Sequence, residues 1–215
     1  DEADRLITLE ADRQLKEMGA EQRWPLIPHP AFDLHIQYMG TAVSVKDDYR
    51  RQLDLETGVS SVFCQGEDGV EESVFSSRTD NVNVIRLKAG KTGKIDVTLG
   101  LEETPGRHGS HFEHNLDSAF TFVKSAAESG WLTYRAGYRQ DPGGYEGLAR
   151  VTLKGGSMKP EGSVLQVEDA DEVLIVVRIT PLVDGKVSEE KEVRQELSGL
   201  PADYGKLLHS HQKAH

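Results

Sequence analysis

One feature constrains this 215-residue chain more than any other: its hydrophobic period changes from helical to two. Between residues 32 and 182 apolar residues recur at every second position. Phe32, Leu34, Ile36 and Tyr38 alternate with Asp33, His35 and Gln37. Tyr49, Arg51, Leu53 and Leu55 alternate with Arg50, Gln52 and Asp54, and Ile95, Val97, Leu99 and Leu101 with Asp96, Thr98 and Gly100. Successive side chains of a strand point to opposite faces, so this period means strands with one wet face. Further strands are expected near 59–65, 71–77, 82–89, 118–124, 131–138, 146–154, 163–168 and 172–180. The run Val173-Leu174-Ile175-Val176-Val177 is apolar at every position, so that strand should be covered on both sides. Gly66-Glu67-Asp68-Gly69, Gly155-Gly156 and Pro160-Glu161-Gly162 are compact hairpin signals. About a dozen short strands without intervening helices predict a mainly β fold, an antiparallel β-sandwich of the supersandwich kind, rather than βαβ units.

The flanks keep a helical period. Ala3, Leu6, Ile7, Ala11, Leu15 and Met18 make one apolar stripe, which predicts an N-terminal helix. A proline-rich linker, Trp24 to Pro30, follows it. The expected organisation is therefore helix and linker over 1–31, packed on the sandwich, and sandwich over 32–182. Residues 183–215 read as a charged linker and the start of a helix. Glu189, Glu190, Lys191, Glu192, Arg194 and Glu196 suggest a solvated segment, and Tyr204, Leu207, Leu208 and His211 have helical spacing. That last helix is expected to lead out of the domain, as in a fragment of a longer chain.

Charge and composition narrow the classes. With 25 Lys and Arg against 36 Asp and Glu, the net charge is −11. A phosphate-tracking surface is basic, so nucleic acid is not the expected partner, nor is an anionic membrane surface. No apolar run approaches the roughly 18 residues of a spanning helix. The apolar fraction of 37% omits 21 glycines, and with them it approaches an ordinary globular level, so a packed core is expected. The single cysteine, Cys64, allows neither an internal disulfide nor a CxxC site, and reads as a small apolar strand residue. The sequence alone does not fix a compartment.

Chemistry-bearing residues are sparse in pattern. Arg107-His108-Gly109-Ser110-His111-Phe112-Glu113-His114 places three imidazoles and a carboxylate in one Gly/Ser loop. Zinc could use such donors, but this spacing does not make them converge. The segment reads better as a polar cleft loop, and no metal or other cofactor is expected. The paired acids Glu71-Glu72 and Glu102-Glu103 point to opposite faces of a strand, which is unsuited to an acid/base dyad. There is no G-x-S-x-G elbow. Trp131, followed by Tyr134, Tyr138 and Tyr145, could offer a ring face to a sugar, with a core position as the alternative. The C-terminal His209, His211 and His215 read as helix surface.

One stretch is more specific. Asp48-Tyr49-Arg50-Arg51-Gln52-Leu53-Asp54-Leu55-Glu56-Thr57 is followed by Glu72-Ser73-Val74-Phe75-Ser76-Ser77-Arg78-Thr79-Asp80-Asn81-Val82 and by Val84-Ile85-Arg86-Leu87. This resembles the N-terminal β-domain of glycoside hydrolase family 95, the α-L-fucosidase and α-L-galactosidase group. That family has a Y-R-R-x-L-D-L-x-T segment, then an E-x-F-x-S-x-x-D-x-V strand and a V-x-R-L strand. Lys16-Glu17-Met18-Gly19, Pro30 to Ile36, Val167 to Val173 and the tail with Tyr204, Leu207 and His211 are similar to further family segments in the same order. The family's glycine-rich first strands have no counterpart here, and neither does its (α/α)6 catalytic barrel. The resemblance implies a non-catalytic domain, with no catalytic residue in this chain, truncated at both ends from a secreted or periplasmic parent. It implies that the domain supports the missing catalytic barrel and that the parent hydrolyses fucosylated oligosaccharides with inversion. Arg107, His108, His111, His114 and Trp131 are then the candidate substrate contacts. A stand-alone carbohydrate-binding module and a protein-interaction domain are the alternatives.

Overall fold

The computed structural model describes Leu6, Glu10, Arg13, Gln14 and Glu17, then residues 30–39, 49–64, 69–90, 94–104, 120–139 and 141–214. The chain divides into two units, 1–30 and 31–215. In the first, the five described residues are helical, and Arg13 bridges Glu10 at 2.7 Å and Glu17 at 3.1 Å. These are the three- and four-residue spacings that make neighbours on a helix face.

The second unit contains twelve described strands in two antiparallel sheets. β1 (Asp33–Tyr38), β6 (Ile95–Glu102), β11 (Val164–Ala170) and β10 (Ser157–Glu161) form a four-stranded sheet in the order β1-β6-β11-β10. The larger sheet runs β2 (Tyr49–Asp54), β3 (Val59–Cys64), β4 (Val70–Ser77), β5 (Val82–Ala89), β12 (Glu172–Leu182), β9 (Gly144–Lys154), β8 (Trp131–Tyr138), β7 (Phe120–Glu128). This is the expected β-sandwich. Alternation acts as predicted: Ile95, Val97, Leu99 and Leu101 of β6 are fully buried between the sheets, against Leu132, Tyr134, Leu165 and Ile175.

Turn chemistry fixes the hairpins. Gly155 and Gly156 have φ of 68° and 67°, the paired left-handed values of a two-residue hairpin loop, which side-chain-bearing residues adopt only with strain. The short strand β10 follows, although the Gly and Pro signals on either side predicted only turns there. Pro160 is tolerated because β10 is an edge strand, where a missing N–H costs no ladder bond. β7 also runs four residues beyond the predicted 124, to Glu128.

β12 is covered on both faces, as its unbroken apolar run requires. Val173, Ile175 and Val177 face the four-stranded sheet. Leu174 and Val176 face a third layer of two helices, α1 (Glu190–Gly199) and α2 (Tyr204–Ala214). α1 packs against β9 and α2 against β4 and β5. Both helices after residue 182 pack on the larger sheet. Val193, Leu197, Tyr204 and Leu207 are buried against Phe75, Val84, Leu148 and Leu174. α1 is highly charged, yet Val193 and Leu197 on one face suffice to dock it.

Buried polar groups secure this layer. The carboxylate of Glu146 on β9 accepts from the Ser188 hydroxyl at 2.8 Å and the Glu189 N–H at 3.1 Å, satisfying donors at the start of α1. Arg150 on β9 donates to the carbonyls of Leu200 and Pro201, both at 3.0 Å, at the turn between the helices. Asp203 accepts the Lys206 N–H at 2.9 Å and so caps α2. His211 is buried rather than on the helix surface: its ring stacks on Phe75 at 4.8 Å and its Nε2 lies 2.8 Å from the Thr57 carbonyl. No helix among the described residues is long and apolar enough to cross a membrane.

Candidate functional site

Three strand ends meet at one end of the larger sheet. Gly144 at the start of β9 pairs with Gly137 near the end of β8 and with Leu182 at the end of β12. The backbones here approach more closely than side chains permit. A Cβ on Gly144 would lie 2.2 Å from the Ala136 carbonyl oxygen, and one on Gly185 would lie 2.8 Å from that of Gly143. Hydrogen bonds lock the crossing: Tyr138 N–H to Gly143 O at 3.0 Å and Gly185 N–H to Pro142 O at 2.8 Å. The Asp141 carboxylate accepts the Gly143 N–H at 2.7 Å.

Above this crossing lies a cleft of about 340 Å³, lined by Phe122, Tyr138, Arg139, Asp141 and Lys186 among others. The Phe122 ring lies against Gly137, where a Cβ would come within 2.5 Å of it. The Arg135 guanidinium and the Lys124 ammonium lie 5.7 and 5.6 Å from the centre of the same ring, which helps hold it. Arg139 donates to the Phe120 carbonyl at 3.0 Å, and the Thr121 hydroxyl to that of Gly137 at 3.2 Å. Burial, and then the negative charge of Asp141, push the Tyr138 phenol above its ordinary range.

Of the sequence candidates for substrate contact, Trp131 is the one among the described residues. Arg107, His108, His111 and His114 lie outside the described residues, as do Trp24, Asp47 and Asp48. Trp131 is described: it opens β8, half-buried, with the Arg194 guanidinium of α1 4.7 Å from its ring centre. Trp131 and Tyr138 sit at opposite ends of β8, roughly 23 Å apart at strand rise. Tyr134 and Tyr145 are core residues, stacked at 5.9 Å with Phe32 and Phe120 around them. Of the aromatic residues after Trp131, Tyr138 alone lines the cleft. Phe122, Arg139, Asp141 and Lys186 were not singled out from sequence. The available signal was the Pro142-Gly143-Gly144 cluster together with Gly185.

Several described carboxylates are engaged in structure. Glu71 pairs with Arg86 at 2.6 Å, while burial raises the pKa of Glu72 against the opposing effect of Arg51, so the adjacent pair does diverge. Glu146 starts α1, and the largely buried Glu172 pairs with Lys154 at 2.8 Å. Among the described residues no three His, Cys, Asp or Glu side chains converge. The cleft is equipped to hold a ligand by aromatic contact and hydrogen bonds.

Comparison with known proteins adds an independent observation. The profile of a family described as the glycosyl hydrolase family 65 N-terminal domain matches residues 7–181. Among solved structures, one provisionally named a kojibiose phosphorylase, from human microbiome, superposes with a TM-score of 0.54 at 15% identity. The match covers 84% of this chain and 26% of that one, so the chain spans about a quarter of the length of that protein. At this identity the likeness is one of fold. No curated protein matches the sequence.

Proposed function

Because this chain belongs to the glycosyl hydrolase family 65 N-terminal domain family, we propose that it is the non-catalytic sandwich of a larger carbohydrate-active enzyme. The family match over 7–181, which ends one residue before β12 does, carries this reading. The sandwich supports a separate catalytic domain, an (α/α)6 barrel. The parent hydrolyses a terminal α-L-fucosyl or related linkage with inversion. The segment resembling family 95 supports that substrate: its parts lie on β2, β4 and β5, the last two paired directly and β3 lying between the first two. The polar segment 107–114, with His111 and His114, reaches the parent's sugar cleft.

The test compares this chain with the product of its complete reading frame. The full product should release nitrophenol from 4-nitrophenyl α-L-fucoside, while this chain alone leaves it intact. His111→Ala with His114→Ala should raise KM of the full product. Phosphate-dependent cleavage of kojibiose in place of fucoside hydrolysis would overturn the fucoside assignment and keep the domain assignment. Turnover by the isolated chain would overturn both.

A further inference from the structure

We propose that the cleft formed by the β8–β9 connection, Phe122 and Lys186 is a saccharide-binding site of the sandwich itself, sized for a mono- or disaccharide. The biological ligand class rests on the carbohydrate reading above, but the chemistry comes from the cleft.

Its volume, about 340 Å³, falls at the small end of the roughly 300–1,000 Å³ of ligand pockets. A sugar ring presents two kinds of surface: an apolar face of C–H groups and an edge of hydroxyls that both donate and accept. The cleft matches both. The rings of Phe122 and Tyr138 provide apolar wall. Asp141 only accepts, Lys186 only donates, and both are exposed at the rim. Asp141 binds the Gly143 N–H through Oδ1, and its second oxygen extends the acceptor set. Gly137, Gly143 and Gly185 form a buried, close-packed floor beneath these side chains.

Other ligand classes fit less well. A purely apolar molecule would strip water from Asp141 and Lys186 without replacing their hydrogen bonds. A phosphate would meet the cations Lys186 and Arg139 but also the Asp141 carboxylate, whose charge opposes an anion and whose oxygens can accept from a sugar hydroxyl. The site is also largely preformed. Phe122 is held over Gly137, and the β8–β9 connection is hydrogen-bonded to residues beyond β12. Binding therefore demands little ordering.

Amide NMR spectra of the 215-residue chain, titrated with D-glucose, L-fucose, kojibiose and inorganic phosphate, test this site. At least one sugar should shift the Gly137, Gly143 and Gly185 signals saturably, with a dissociation constant on the order of 1 mM. Lys186→Ala should weaken binding about tenfold, the worth of one hydrogen bond to a charged group, with an unchanged melting temperature. Asp141→Asn, which keeps an acceptor for the Gly143 N–H, should do likewise. If it perturbs the turn, the exposed Lys186 variant decides. Three outcomes overturn the proposal: no saturable shift with any sugar, shifts indifferent to Lys186→Ala, or shifts produced by phosphate alone. Sugar binding beside an inactive full-length product would sink the enzyme assignment alone. A silent cleft on an active product would sink this one alone.

Discussion

Arg150 shows how a single side chain can close a layer. It is 8% exposed, faces the helices, and meets two carbonyl oxygens rather than a carboxylate. Burial lowers its pKa, but a guanidinium stays charged throughout the working range. Arg150→Met keeps most of the volume and leaves the Leu200 and Pro201 carbonyls without those donors. It should cost about 2–3 kcal/mol and lower Tm by roughly 5–10 °C, read by calorimetry. The buried phenols make a second prediction. Burial first raises the pKa of Tyr134, against the Tyr145 hydrogen bond and aided by the Glu103 charge, while burial and then the Tyr134 hydroxyl raise that of Tyr145. Tyr204 is raised by burial against the opposing Ser73 hydrogen bond and Arg86 charge. A folded pKa above the unfolded value means that the folded state holds its proton longer. This stability is complete below about pH 10, the unfolded value, and is lost as pH rises through the folded values. Phenolate absorbance from these three residues should appear together with loss of near-ultraviolet dichroism above pH 10. Such residues were the least legible in sequence. Arg150, Glu146 and His211 look like surface residues until carbonyls and N–H groups from distant segments arrive to satisfy them.

At the scale of elements, legibility followed local periodicity. β6 and β12 could be read directly, because the alternation of one and the unbroken apolar run of the other are properties of consecutive residues. β10 could not, since five exposed or half-buried residues between turn signals carry no period of their own. The helices fall between these cases. The stripe Tyr204, Leu207, His211 was visible in sequence, but its docking partner was not, because Phe75 and Arg86 come from strands, and Thr57 from a turn, more than a hundred residues earlier. The Arg86 guanidinium lies 4.0 Å from the centre of the Tyr204 ring, and Phe75 meets the same ring edge-on at 5.6 Å. Leu207, 1% exposed, sits in this contact. Leu207→Ala should cost about 2–4 kcal/mol, measured as a lower urea midpoint with little change in slope. A tail that merely led away from the domain would show almost no loss.

At the scale of the whole molecule, the described residues of the second unit form three layers: four strands, eight strands and two helices. The cleft belongs to this scale, which is why no motif announced it. It takes Phe122 from one strand, Tyr138 from the end of the next, Arg139, Asp141, Pro142 and Gly143 from the connection after it, and Gly185 and Lys186 from beyond the last strand. Each piece is an ordinary turn or strand end, and only the pairing of β9 with both β8 and β12 assembles them. The same topology has a consequence for how the molecule is made. β12 is the last strand in the chain, yet it lies in the middle of the larger sheet between β5 and β9. During synthesis the ribbon β2 to β5 and the ribbon β7 to β9 each emerge with one inner edge bare, and neither can join the other until Leu182 has left the ribosome. The nascent chain must therefore carry two unfinished half-sheets from the completion of β9 until β12 has emerged, and assembly of the larger sheet waits on that strand.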